Sequence, residues 1–323
     1  MDQIAPVRPR KFAFLLLDKF TLLAFSSAIE PLRLANLITG DNVYEWHIVS
    51  ENNDVMCSGG MTIRADVGLD DLDRDTTIIV VGGQDIKSAA TKPVLNWLRR
   101  ESRHGLTLGA VCTGTYVLAK AGLLDNKKVT IHWENHDSFA EEFPEIDLTQ
   151  NIYVIDGRRI TSSGGTAPSD LMLRLIATDH GPEVANAVAD QMIHTSIRSE
   201  RDEQRLSIPT RIGVRHPKLS MVIQMMEENI EFPISPSVLA ADVIMSTRQL
   251  ERLFRRYLNR SPKRYYMELR LNRARNLLMQ TDMSVINVAL ACGFTSPSHF
   301  SKCYRSHFGT TPYRERGSSG AVS

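Results

Sequence analysis

Residues 106–124 read LTLGAVCTGTYVLAKAGLL. LTLGAV is a β-type run, small residues follow it, and TGTYVLAKAGLL has helical spacing, so the stretch is a strand, a tight turn and a helix. Cys112 sits in the turn, with Ala110 two residues before it and Gly114 two after. A nucleophile elbow has this layout, because a Ser or Cys on a strained strand-to-helix turn needs small residues on both sides. An ordinary βα turn needs small residues too, and cysteine is a common small buried residue, so the layout alone leaves both readings open.

Outward from this unit the pattern repeats. KFAFLLL, YEWHIVS, TTIIVVGG, KVTIHW and NIYVIDGRRITSSGG read as strands. AFSSAIEPLRLANLI, KPVLNWLRRESR, APSDLMLRLIATDHG and PEVANAVADQMIHTSI read as helices. Strands alternating with helices, and a run as continuously apolar as TTIIVVGG, predict a doubly wound, flavodoxin-like α/β sheet covered on both faces. The early VRPRKFAFLLLDKF imitates a signal peptide, but Asp18 and Lys19 end its apolar run and no small-residue cleavage site follows, so it reads as a first buried strand. No apolar stretch approaches the ~18 residues a membrane helix needs. Cys57, Cys112, Cys292 and Cys303 form no CxxC pair and the histidines show no zinc spacing. The expectation is a cytoplasmic protein with no metal, no cofactor and no membrane partner.

A chain of 323 residues, 42% hydrophobic and 23% charged, is globular and long enough for two domains. Its net charge of +1 conceals a division. Residues 217–323 hold 15 Lys and Arg against 8 Asp and Glu, a net of +7; residues 1–216 hold 23 against 29, a net of −6. A basic C-terminal third points to a polyanionic partner. Between the two parts, RSERDEQRLSIPTRIGVRHP is charged and aperiodic. The expected organisation is a sensing domain over 1–198, a linker over 199–217, a helical domain over 218–316 and a disordered tail over 317–323.

The C-terminal third is duplicated. At an offset of 50, STRQLERLFRRYLNRSP (246–262) aligns with SPSHFSKCYRSHFGTTP (296–312). Ser246 matches Ser296, Leu250 matches Phe300, Phe254 matches Tyr304 and Pro262 matches Pro312. Apolar residues every fourth position make each copy an amphipathic helix with a serine N-cap. A short helix and a tight turn precede each copy, and Gly293 supplies the second turn, so the unit is a helix–turn–helix, twice. PKRYYMELRLNRARNLLMQ between them is one helix spanning ~28 Å, enough to hold two recognition helices about one DNA turn (~34 Å) apart. The faces opposite the apolar stripes present Arg248, Glu251, Arg252 and Arg255 in copy one, and Ser298, His299, Ser301, Lys302 and Arg305 in copy two. Arginine suits bidentate contact to guanine, and Ser and Lys suit bases or phosphates.

Over residues 219–316 this region resembles the AraC/XylS-type DNA-binding domain, most closely in VALACGFTSPSHFSKCYRSHFGTTP. His299 stands where that family often has tyrosine. Residues 11–195 resemble the class I glutamine amidotransferase-like, PfpI-type fold, through AVCTGTYVLAKAGLL, IHW and ITSSGGTAPSDLMLRLI. Together with FLLLDKFTLLAFSSAIEPLRLAN, the two parts resemble the GlxA-type subgroup of AraC-family regulators. The resemblance implies an activator of amino-acid, arginine or quaternary-amine (betaine, carnitine) catabolism.

His132 lies in the strand after the elbow helix and Glu134 is two residues on, so Cys112, His132 and Glu134 are the candidates for a catalytic triad. His132 bonded to a carbonyl and Glu134 in solvent is the alternative. Gly83 would offer a second N–H near the thiol, beside that of Thr113. In PfpI-type enzymes an acid on the first helix reaches the cysteine; here the early positions of that helix are apolar or Ser, and its acid, Glu30, comes late. This departure favours a vestigial site that binds rather than catalyses, hence no enzyme. The expected ligand residues are Glu30, Gly83, Cys112, Thr113, His132 and Trp133. Helix N-termini at the elbow and after SSGG attract a carboxylate, and the Trp133 ring or Glu30 would meet a cation. Trp133 as core packing and Glu30 paired with Arg33 are the alternatives. A cysteine-dependent amidase or hydrolase and a Cys112 redox sensor are the competing functions. The expected partners are double-stranded DNA, a small-molecule effector, RNA polymerase and a second copy of the chain.

Overall fold

Phe12, Ala13, Phe14 and Leu15 have no exposed surface, because the strand that carries them is covered on both faces. The computed structural model describes residues 8–318 and divides into two compact units, meeting in sequence at Gln204 and Arg205. In the first unit the strands are β1 (Arg10–Leu16), β2 (Tyr44–Val49), β3 (Asp54–Met56), β4 (Thr62–Arg64), β5 (Thr77–Val81), β6 (Thr107–Val111), β7 (Lys128–Thr130), β8 (Asp147–Thr149), β9 (Tyr153–Asp156) and β10 (Arg159–Ser162). Its helices are α1 (Leu22–Thr39), α2 (Ile86–Ala89), α3 (Lys92–Arg103), α4 (Gly114–Lys120), α5 (His136–Glu142), α6 (Ala167–His180) and α7 (Pro182–Gln191).

Six strands form one sheet in the order β2-β1-β5-β6-β10-β9, parallel except for the β9–β10 hairpin. The expected doubly wound sheet is therefore mixed at one edge. Side chains alternate across it. Phe12, Phe14, Leu16, Val81 and Val111 pack with α1, α6 and α7 on one face; Ala13, Leu15, Val80, Leu108 and Ala110 pack with α3 and α4 on the other. β2 and β5 lie on opposite sides of β1, and such a reversal opens a crevice beyond the carboxyl ends of the strands. Cys112 follows β6 at that edge.

Two expected elements end early, and the expected linker is partly structured. KVTIHW is a strand only over Lys128–Thr130, pairs with β8 rather than joining the main sheet, and turns at His132 (ψ 133°) into a 3-10 helix, Trp133–Asn135. The helix expected to run to residue 197 stops at Gln191, with Ile193 at φ 54°. The expected linker is not featureless, since Glu200, Glu203 and Gln204 pair back onto the first unit and Ile208–Ile212 form α8.

The second unit continues with α9 (Pro217–Glu228), α10 (Pro236–Asp242), α11 (Thr247–Leu258), α12 (Pro262–Gln280), α13 (Val285–Ala291), α14 (Pro297–Phe308) and α15 (Pro312–Ser318). α10–α11 and α13–α14 are the two helix–turn–helix units, and α12 joins them. Leu250, Phe254, Phe300 and Tyr304 are fully buried in one core. Of the tail expected to be disordered, residues 317 and 318 end α15 and 319–323 lie outside the described residues. No helix among the described residues is long and apolar enough to cross a membrane, and no cluster of three His, Cys, Asp or Glu among them would hold a metal.

Candidate effector pocket and DNA-reading helices

Cys112 is held at φ 58°, a left-handed conformation uncommon for a residue with a Cβ. Its N–H donates to the Ser162 carbonyl at 3.1 Å, tying the elbow to β10. The thiol is buried at 6% exposure. Its Sγ lies 3.6 Å from the Thr21 hydroxyl and is also approached by the Thr113 N–H. Burial pushes its pKa up, and these two hydrogen bonds only partly oppose that shift. Thr21 caps the start of α1, where the resemblance leads one to expect an acid, so a neutral hydroxyl replaces a charge.

His132 closes the other side. Its Nδ1 accepts the Glu134 N–H at 3.3 Å, which places the proton of the neutral ring on Nε2. Burial pushes its pKa down. Gly164 lies between the two side chains: a Cβ built there would stand 2.4 Å from His132 Cδ2, 3.3 Å from Nε2 and 3.1 Å from Cys112 Sγ. Thiol and imidazole thus face each other across a glycine, with no hydrogen bond between them among the described residues. The Glu134 carboxylate is 4.0 Å from Nδ1 and half exposed. The expected triad is not assembled, because the chain turns at His132 and Glu134 orients the ring through its backbone instead.

Two other expected residues are placed differently. Glu30 is held by Arg33 Nε and Nη2 at 2.8 and 2.6 Å, and it lies nine residues, roughly 14 Å, along α1 from Thr21. It does not reach the thiol. Gly83 takes the Thr113 hydroxyl on its carbonyl at 2.7 Å, so that contact bonds the loop to the elbow. Trp133 is 39% exposed, with its ring centroid 5.7 Å from that of His132, and is not core. Sequence reasoning missed Thr21 and Gly164; the doubled glycine in SSGG was the available signal for the second.

In the second unit Arg248, Glu251, Arg252 and Arg255 of α11 are exposed, as are Ser298, His299, Lys302 and Arg305 of α14, while Ser301 is partly covered. The five basic residues among them have no ion pair among the described residues. Ser246 and Ser296 cap α11 and α14 by accepting the N–H groups of Gln249 and His299. His299 Nε2 lies 3.3 Å from Cys303 Sγ. Ser306 and Thr311, unremarked in the sequence, line an open groove with Ser301, Lys302 and Arg305. An exposed cationic face on each of two helices, joined through α12, is the arrangement of a protein that reads duplex DNA.

Residues 10–178 match the DJ-1/PfpI family, and residues 239–318 match a helix-turn-helix domain family. The HTH-type transcriptional regulator GbdR of Pseudomonas aeruginosa is 47% identical over 95% of this chain and 84% of its own length. CdhR of the same organism, also named an HTH-type transcriptional regulator, is 47% identical over 94% of this chain and 91% of its own. The crystal structure of an AraC family transcriptional regulator from Pseudomonas putida superposes with a TM-score of 0.51 at 26% identity, covering 57% of this chain and 100% of that one. An α/β domain of DJ-1/PfpI type followed by a double helix–turn–helix defines a DNA-binding regulator of transcription. The chain belongs to the AraC-family transcriptional regulators built in this way.

Proposed function

We propose that this regulator activates a catabolic operon in response to a small metabolite bound between Cys112, Thr113, His132 and Trp133. The observation that carries the reading is the facing of a buried, protonated thiol and a neutral imidazole across Gly164 with no bond between them. A hydrolytic cysteine needs a thiolate and a base in contact. Here the thiol is held neutral and the imidazole presents an N–H, so the site offers hydrogen-bond donors rather than a nucleophile. The same protonated thiol disfavours a peroxide sensor. The chain is accordingly proposed not to be an enzyme and to use no cofactor.

The His132 Nε2–H suits a carboxylate, joined by the Thr113 N–H where a ligand takes it from the Cys112 sulfur, and the exposed Trp133 ring suits a cation. Carboxylate plus cation describes an amino acid such as arginine, or a betaine or carnitine. The operator is contacted through Arg248, Glu251, Arg252, Arg255, Ser298, His299, Ser301, Lys302 and Arg305. The protein acts in the cytoplasm as a homodimer that recruits RNA polymerase.

Genome-wide mapping of the tagged protein, with expression profiling of a deletion strain, tests the regulatory half. Sites clustered upstream of one catabolic operon whose expression collapses are expected; absence of discrete sites defeats the reading. Calorimetric titration with glycine betaine, carnitine and arginine tests the pocket, with binding expected for one of them and lost in the Cys112→Ala, Trp133→Ala double variant. Undiminished affinity in that variant excludes this pocket.

A further inference from the structure

Between α7 and the second unit the chain runs as an irregular, largely exposed strap, His194–Gln204, fastened to the first unit by side chains at two places and by backbone between them. At the first, Asp170 of α6 is fully buried. Its Oδ1 accepts from His194 Nε2 at 3.0 Å and from the Arg198 N–H at 2.7 Å, and its Oδ2 accepts from Arg198 Nε and Nη2 at 3.0 and 2.6 Å. Arg198 Nη2 also donates to the Thr166 hydroxyl at 2.9 Å. At the second, Gln204 Nε2 donates to the Ile131 and Asn151 carbonyls at 3.1 and 2.9 Å and to the Thr130 hydroxyl at 2.9 Å, while its Oε1 is buried without a partner. Between them the Glu200 carbonyl accepts the Ile152 N–H, and the Ile152 carbonyl accepts the Ser163 N–H.

Each fastening ends beside one wall of the proposed pocket. Ile131 precedes His132, and Thr166 and Ser163 flank Gly164. The walls leave no room for a side chain at Gly164, since a Cβ added there would stand 2.4 Å from the imidazole. An atom placed between thiol, imidazole and glycine therefore separates His132 from the Gly164 loop, and a near neighbour of each, Ile131 and Thr166, is bonded to the strap. The strap is an exposed segment held by a few polar bonds, one of them an amide only half satisfied, which belongs to the low-stability end of a structure.

We infer that His194–Gln204 is the output element of the sensing domain: separation of the pocket walls releases it, and its order sets how the adjoining DNA-binding unit engages DNA. This deepens the pocket reading and rests on it. Gly164→Ala provides a test that needs no ligand, because the added methyl must displace the His132 imidazole that it would otherwise meet at 2.4 Å. In the full-length chain, hydrogen exchange of 194–204 is expected to accelerate about tenfold or more while β1 and β5 stay protected. Affinity for a duplex selected from random sequence with the wild-type protein is expected to shift at least fivefold. Unchanged strap exchange in a folded Gly164→Ala protein overturns the inference.

Where Gly164→Ala does not fold, Arg198→Met and Gln204→Leu take its place, since both lie outside the pocket. Each is expected to shift affinity for the selected duplex at least fivefold, and duplex binding like the wild type's in both overturns the inference. Glycine betaine then separates the two readings. If it binds the wild type, Arg198→Met is expected to retain its Kd within about threefold and to lose the ligand's effect on DNA affinity; retention of that effect counts against the strap. If neither glycine betaine, carnitine nor arginine binds the wild type, the pocket reading fails, while strap exchange in Gly164→Ala still decides the strap.

Discussion

Cys112 combines a positive φ, near-complete burial and a hydroxyl neighbour where chemistry would need a charge. Burial raises its pKa, so the folded chain keeps the proton to higher pH than the unfolded chain, whose thiol titrates near ~8.5. Its contribution to stability is present below that pH and is lost as pH rises toward the folded value. Iodoacetamide at pH 7 is accordingly expected to label the partly exposed Cys303 well before Cys112. Labelling of Cys112 should have a pH midpoint above ~8.5, read by peptide mass spectrometry; a midpoint at or below 7 would restore the nucleophile. His132 has the opposite sign. Burial lowers its pKa, so it favours the fold above the unfolded value of ~6.5 and loses that advantage as pH falls through its folded value. In a titration of imidazole NMR shifts it is expected to stay neutral below ~6.5. The elbow was legible because Ala110 and Gly114 announce a turn that admits no bulk. The missing triad was not, because equal spacing along an assumed strand put His132 and Glu134 on one face, whereas the backbone turns between them.

At the scale of elements, the offset of 50 holds for the recognition helices and breaks at the turns before them. Ile244 occupies the left-handed position of the first turn at φ 55°, and Gly293 that of the second at φ 73°. The two are 49 apart, so the second unit has one more residue between turn and N-cap. The glycine made the second turn legible; an isoleucine there carries no such signal, and it is 87% exposed, so no buried surface accounts for it. A β-branched residue in this conformation costs ~1–2 kcal/mol, against ~0.5–1 for the entropy of a glycine. Ile244→Gly is therefore expected to raise stability by roughly 0.5–1 kcal/mol in urea unfolding of the full chain, and a loss would mean the isoleucine makes a contact that counts. The second turn has its own fastening. Arg270 of α12 donates to the Cys292 and Gly293 carbonyls at 2.8 and 2.6 Å and lies over the Phe294 ring at 4.2 Å. Arg270→Met should cost ~1–3 kcal/mol by leaving two carbonyls unpaired. It should also weaken DNA binding by loosening α14 relative to α12, measured by anisotropy on the selected duplex.

At the scale of the molecule, the division of charge was the most readable feature, because a net of +7 against −6 needs no structure to be counted. Less readable was the junction: sequence placed a linker at 199–217, while Glu200, Glu203 and Gln204 pair with the first unit, since backbone and amide hydrogen bonds leave no hydrophobic period to detect. The basic unit makes the last prediction quantitative. Each phosphate neutralised releases counterions and contributes ~0.9 to the slope of log affinity against log salt. With Arg248, Arg252, Arg255, Lys302 and Arg305 exposed and without ion pairs among the described residues, and about four of them on phosphates, affinity should fall ~10²-fold between 50 and 200 mM salt. Single substitutions then separate roles. A side chain on phosphate, for which Lys302→Ala is the first variant to make, should weaken all duplexes alike and lower the slope by ~1. An arginine on a base edge, with Arg252→Ala as the first trial, should lose ~1–3 kcal/mol on the selected duplex and almost nothing on unrelated DNA. A salt series of anisotropy titrations reads both, and a slope near zero in the wild type would show that the exposed cationic faces of α11 and α14 do not meet DNA.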